Sequence, residues 1–99
     1  MLIRSQDKEM IINMAVTNHI YVREVYRPSG NLIDISSDEM RLGYYSTREK
    51  ALKALDMIQE AYSEYQIMLN FSVSYLHEFK EKTDGFAVFQ MPEDSEVEA

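Results

Sequence analysis

Arg48, Lys50 and Lys53 fall within six residues of one another, and Arg41 precedes them by less than two helical turns' worth of chain. Cations grouped this way near a strand-to-helix corner make a patch suited to an acidic partner surface, through charge-assisted hydrogen bonds. The competing reading is an ordinary solvated face. The patch breaks a local rule, because Asp56, Glu60 and Glu64 come later in the same helical pattern. Charges therefore run against a helix macrodipole, which favours anions at the N-terminus. Glu49 and Lys53, at i and i+4, recover about 0.3 kcal/mol.

Tyrosine supplies the second candidate chemistry. Seven are present, at 21, 26, 44, 45, 62, 65 and 75. Adjacent Tyr44 and Tyr45 must point to opposite faces of any strand, so one of them is expected at the surface. A surface tyrosine offers rigid contact area and a hydroxyl at low entropic cost, the property that enriches it at interfaces. The others suit a small core or its edge, as do the seven methionines scattered along the chain.

Covalent and metal chemistry find little to work with. Cysteine is absent, and only His19 and His77 are available as bases, neither in a nucleophile or metal-ligand motif. Asp38-Glu39 and Glu93-Asp94 are paired carboxylates in turn and tail positions, where nothing separates their pKa values for acid–base work. No phosphate-cradling glycine pattern occurs: Gly30, Gly43 and Gly85 stand alone and are explained by a turn, a strand and a helix stop. The expectation is a non-enzymatic protein with no cofactor and no metal.

These residues must be positioned by a single small α+β domain. In the first half, Met1 to Ser5 and Met10 to Val16 suggest an opening hairpin. His19 to Arg27 alternates as a strand, with Ile20 and Val22 facing one way and Tyr21, Arg23 and Val25 the other. Pro28-Ser29-Gly30-Asn31 turns the chain into Leu32-Ile33-Asp34-Ile35. Ser36 to Glu39 is expected to break that strand before Met40 to Tyr45 forms the next. In the second half, Ser46-Thr47-Arg48-Glu49 has the form of a capping box. Ala51, Ala54 or Leu55, Ile58, Ala61 or Tyr62, Tyr65 and Leu69 follow at helical spacing. Residues 70–85 are read as helix fading into a loop stopped by Thr83-Asp84-Gly85, and Phe86 to Met91 as a last strand. The expected fold is a small antiparallel sheet of five to six strands packed on one long amphipathic helix.

Charge divides unevenly along this domain. The net charge is -7. Ten basic and thirteen acidic side chains lie in residues 1–92, and residues 93–99 add Glu93, Asp94, Glu96 and Glu98 with no base. The domain is thus expected to span 1–92, followed by a disordered acidic tail that either solubilises or docks. An acidic chain is a poor non-specific ligand for nucleic acid. The polar start and the shortness of the longest uncharged run argue against a signal peptide or membrane span, which points to the cytoplasm.

Three blocks carry a family resemblance: Met1-Leu2-Ile3-Arg4-Ser5-Gln6-Asp7-Lys8, Leu42 to Ala51 running on to Leu55-Asp56-Met57-Ile58-Gln59, and Val88 to Glu93. Together they resemble a family of small uncharacterised proteins of low-GC Gram-positive bacteria and their phages and prophages. The resemblance implies a cytoplasmic accessory protein encoded by a mobile element and assigns no catalytic residue. The leading expectation is therefore a protein-binding module that masks or bridges a partner surface. An inhibitor of a host defence nuclease, of the anti-CRISPR kind, is one form of it. The alternative is a regulatory domain binding a small anionic ligand near Arg41, Arg48 and Lys50. A homo-oligomer paired through an uncovered sheet edge is compatible with either.

Overall fold

The computed structural model describes residues 1–38, 40–69 and 88–98. Its class is α+β, with six strands and one long helix among the described residues. β1 (Leu2–Arg4) and β2 (Ile11–Asn13) form the opening hairpin, with Leu2 opposite Asn13 and Arg4 opposite Ile11. Ser5, buried in the bend, organises it: its hydroxyl donates to Asp7 Oδ1 at 2.5 Å and accepts from the Met10 amide at 3.0 Å. After β2 the chain makes a short 3-10 turn, Met14–Val16, capped by the Asn13 side chain, which accepts from the Ala15 amide.

β3 (Ile20–Val25), β4 (Leu32–Ser37) and β5 (Met40–Tyr45) form an antiparallel meander. Gly30, at φ 124°, closes the first turn by donating its amide to the Arg27 carbonyl. Only glycine takes that backbone conformation without steric cost. The expected break at Ser36 and Ser37 is corrected: both lie inside β4 and are buried. The Ser36 hydroxyl is satisfied by donating to Asp34 Oδ1 at 2.8 Å, and the reversal is made instead between Ser37 and Met40, which pair directly, with Asp38 at φ 53°.

β6 (Val88–Gln90) lies within the expected last strand, whose first two positions fall outside the described residues and whose Met91 is not part of it, and it pairs parallel with β1. A parallel pair needs a long crossover, which the intervening chain supplies. β1 thus sits between β2 and β6, and the strands divide into two three-stranded sheets, β2-β1-β6 and β3-β4-β5. This replaces the expected single antiparallel sheet. Gln6 joins the two. Its amide donates to the Leu42 carbonyl at 2.7 Å, its side-chain Oε1 accepts from the Tyr44 amide at 2.9 Å, and its Nε2 donates to the Tyr44 carbonyl at 3.0 Å. One side chain thereby does for the edge of β5 what a seventh strand would do, leaving fewer of its backbone groups unpaired.

α1 (Arg48–Leu69) crosses the β3-β4-β5 sheet and buries Ala51, Ala54 and Ile58. Around them Leu55, Ala61, Tyr62 and Tyr65 pack half-buried, whereas Leu69 is exposed and drops out of the stripe. The cap lies one residue beyond the expected Ser46: Thr47 Oγ1 accepts from the Lys50 amide at 3.1 Å. With Lys50 in the third helical position, no glutamate is placed to complete a capping box. The core joins Ile3 of β1, Ile35 of β4, Leu42 and Tyr45 of β5, the helix residues, and Met91 and Val97.

The expectation of a disordered tail is also corrected. Residues 93–98 carry a second 3-10 turn, Asp94–Glu96, and return Val97 to the core at 3% exposure. Burying Val97, together with the hydrogen bonds that Asp94 accepts from Ser46 and Lys50, offsets the entropy of ordering the segment. The expectation of helix fading into a loop over residues 70–85, with its stop at Thr83-Asp84-Gly85, lies outside the described residues, as do His77 and Tyr75. Among the described residues no helix is long and apolar enough to cross a membrane.

Candidate functional site

The open face of the meander holds a concentrated set of polar side chains. Register places Arg23 of β3, Asp34 of β4 and Tyr44 of β5 in one row across it, and Tyr21, Ser36 and Arg41 in the next. The opposite face presents Val22, Ile35 and Tyr45 toward α1. In a regular strand Arg41 and Tyr44, three apart, would point to opposite faces. A bulge in β5 changes this: Ile35 pairs with Gly43 and Ser36 with Arg41, so Leu42 is the extra residue. The bulge sends Leu42 into the core and returns Arg41 to the face of Tyr44.

Asp34 is the centre of the cluster and has no solvent-accessible surface. An unpaired carboxylate there would be costly, and every bonding need is met. Arg23 donates through Nε at 3.3 Å and Nη2 at 2.9 Å, Arg41 through Nε at 2.8 Å, and the Ser36 hydroxyl at 2.8 Å. Burial pushes the Asp34 carboxyl upward, but the hydrogen bonds from Arg23, Arg41 and Ser36 outweigh it and hold the group below the usual carboxylate range. Arg41 is held a second time by Tyr44. Its guanidinium carbon lies 4.4 Å from the ring centroid, and Nη1 donates to the phenolic oxygen. Tyr44 remains 39% exposed. Beside it, Tyr21 donates to the Asp38 carbonyl at 2.7 Å and stacks on His19, with ring centroids 5.1 Å apart. A cavity of about 200 Å³ opens against this face, lined by Gln6, Asp7, Arg41, Leu42, Gly43 and Tyr44.

The structure divides the predicted basic patch. Arg41 belongs to the open face, while Arg48, Lys50 and Lys53 belong to α1 on the other side of the sheet. Arg48 and Lys53 are exposed. Lys50 is engaged by the tail, donating to the Asp94 carbonyl at 3.2 Å with its ammonium 3.6 Å from Oδ2. Asp94 also accepts from the Ser46 amide at 2.7 Å, bringing a carboxylate to the helix N-terminus where the dipole favours one. Those contacts hold the Asp94 carboxyl below its ordinary range, the Ser46 amide bond first among them. Glu93, Glu96 and Glu98 are exposed, and the Glu93 amide donates to the Glu96 side chain at 2.9 Å.

Of the tyrosine pair, Tyr44 takes the surface position and Tyr45 the core, at 4% exposure. The Tyr45 hydroxyl donates to the Pro92 carbonyl at 2.8 Å, which Gln6 Nε2 also reaches at 3.0 Å. Burial first, and then the charges of Glu93, Asp94 and Glu96, push the Tyr45 phenol well above its ordinary range. Tyr45 is therefore a clamp on the returning tail, not a contact residue. Arg23 and Asp34 are not among the residues that sequence reasoning singles out, and Tyr21 enters there only as one of seven tyrosines. The signal for them is an aspartate inside Leu32-Ile33-Asp34-Ile35, which must find cationic partners on the strands beside it.

Among the described residues no three acidic or histidine side chains gather as a metal site. No family model, no curated protein and no solved structure matches this chain.

Proposed function

We propose that this chain is a non-enzymatic accessory protein that binds an acidic partner surface through the open face of its meander, with Tyr21, Arg23, Arg41 and Tyr44 as the contact set. The observation that carries the reading is the double fixation of Arg41, by buried Asp34 and by the Tyr44 ring. Ordering an arginine at an interface ordinarily costs rotamer entropy, and here most of that cost is met before binding. Arginine and tyrosine also supply a large share of binding energy at interfaces. The cluster carries two guanidiniums against one carboxylate, and that single positive excess is what an acidic surface would complement.

The three sequence blocks suggest that the host is a low-GC Gram-positive bacterium carrying a phage or prophage, and that the protein acts in its cytoplasm. A nuclease inhibitor whose carboxylates fill a cationic channel is the weaker form of the proposal. Its strongest candidate, the acidic tail, spends Asp94 internally.

Affinity capture from such a lysate, with or without infection, tests the reading. The wild-type chain is expected to retain one stoichiometric partner, and a Tyr21→Ala/Tyr44→Ala chain to lose it by at least about tenfold. Absence of any stoichiometric partner, or equal retention by the double variant, overturns it.

A further inference from the structure

We infer that Arg41 is a carboxylate-binding residue and that the group it takes is the side chain of a partner's aspartate or glutamate, seated in the cavity beside Tyr44. The inference rests on the protein-binding reading of the open face and names the chemistry recognised there.

A guanidinium has five N–H donors. Arg41 spends one on Asp34 and one on Tyr44, so three are without a partner among the described residues, and its side chain is one-third exposed. Arg23 contributes indirectly. By giving two hydrogen bonds to Asp34, it supplies much of what that carboxylate needs, so Arg41 is oriented by Asp34 without being neutralised by it. Arg23 does not line the cavity, so toward the seated carboxylate it is a positioning residue, whatever it touches on the rest of the face.

Charge and volume choose the ligand. Arg41 is the cation of the cavity lining, and its three remaining N–H donors are what the cavity offers an incoming group. Asp7 lines the same cavity, its carboxylate turned onto Ser5 and the Glu9 amide, which hold it below its ordinary pKa and therefore ionised. A phosphate dianion entering beside Asp7 would meet more repulsion than a single carboxylate does. The cavity, at about 200 Å³, is smaller than the roughly 300–1,000 Å³ of sites that enclose a small molecule. It admits the end of a side chain presented by a larger surface. The planar carboxylate also matches the planar donor edge of a guanidinium, which a tetrahedral lysine ammonium does not offer.

The test is a titration followed by amide and arginine Nε–Hε NMR shifts at constant ionic strength. The probes are acetyl-Glu-amide, its neutral twin acetyl-Gln-amide, and inorganic phosphate. Acetyl-Glu-amide is expected to shift Arg41 Nε–Hε and the Tyr44 amide saturably, acetyl-Gln-amide not at all, and phosphate more weakly. Asp7→Asn, an exposed change, should tighten the Glu probe by at least about threefold, and Arg41→Gln should abolish its effect while Arg41→Lys leaves a weakened one. Arg23→Gln should weaken the probe and disturb the Arg41 Nε–Hε resonance before any ligand is added. No saturable shift with acetyl-Glu-amide, an equal response to acetyl-Gln-amide, tighter binding of phosphate, or no gain in Asp7→Asn overturns the inference. Should a captured partner be lost with Tyr21→Ala/Tyr44→Ala yet survive Arg41→Gln, the interface stands and the carboxylate assignment falls.

Discussion

Replacing Val97 by alanine tests whether the acidic C-terminal segment belongs to the folded domain. Val97 is 3% exposed and touches the same core as Met91 and Ile58. The substitution removes two methyl groups, at about 0.8 kcal/mol each by transfer, plus a cavity contribution that a segment near the surface relieves in part. The expected loss is therefore about 2 kcal/mol. For a chain of this length, with a total stability of roughly 5–15 kcal/mol, that loss corresponds to a drop in Tm of about 8–16 °C. Asp94→Ala removes the carboxylate from the Ser46 amide and from Lys50, and capping contacts of that kind are worth about 1 kcal/mol.

The two changes should not add. With Val97 detached, the 3-10 turn that aims Asp94 at the helix N-terminus loses its far anchor, so the double variant is expected to cost about 0.5–1 kcal/mol less than the sum. Urea unfolding followed by far-ultraviolet circular dichroism reads all four corners of the cycle, with an unchanged m-value as the check that one transition is being compared. Glu98→Ala, at an exposed position, serves as the control and should stay within about 0.5 kcal/mol of wild type. A Val97→Ala chain within about 0.3 kcal/mol of wild type would refute the reasoning, since a solvated tail has nothing to lose there.

Three further outcomes are expected. Gly43→Ala places a Cβ 3.1 Å from Gln6 Cβ, so Gln6 must give by a few tenths of an ångström and its bonds to Tyr44 and Pro92 weaken; the cost should be about 1 kcal/mol, and combining it with Gln6→Ala should add little. Tyr45→Phe deletes one of two donors to the Pro92 carbonyl while Gln6 keeps the other, and should cost about 1 kcal/mol by chemical denaturation. The carboxyls of Asp7, Asp34 and Asp94 all lie below their ordinary pKa in the folded chain, so the unfolded chain binds more protons at low pH. Their contribution is fully present above about pH 5, and it is lost as pH falls through the unfolded value near 3.9 toward the folded ones. Asp34→Asn should lower stability at pH 7 and flatten its decline between pH 5 and 2, and an unaltered acid slope would remove Asp34 from the account.

What could be read from residue order was local. Alternation put Ile20 and Val22 on one side of β3 and Tyr21 and Arg23 on the other, and both the turn at Gly30 and the helical stripe of Ala51, Ala54 and Ile58 follow from spacing alone. The site depends on relations that spacing does not carry. Arg23 meets Asp34 only through the register of β3 on β4, and Arg41 meets both Asp34 and Tyr44 only because β5 bulges. Read as a regular strand, Met40 to Tyr45 puts Arg41 with Tyr45 and against Tyr44, which groups Arg41 with the cations of α1 and misses its real partners. Two residues could have prompted the better reading. Gly43 inside a strand marks a bulge or a close approach, and here it is beside the one and makes the other with Gln6. Asp34 between isoleucines is affordable in a sheet only if cations from adjacent strands cover it, and Arg23 and Arg41 are the arginines on the strands to either side.

The tail misled for a related reason. Counting charge over Glu93 to Glu98 treats each carboxylate as solvated, but Asp94 answers two donors and Val97 answers the core. A segment of that composition orders when its few apolar and capping groups each find a prepared partner. Here the helix N-terminus, with Lys50 in its first turn, is that partner. The charges that run against the dipole within α1 thus make sense once Asp94 is included, because the missing N-terminal carboxylate arrives from the far end of the chain. This spends Lys50 within the chain and leaves Arg41, on the other face, as the cation whose fixed geometry carries the case for an external acidic partner.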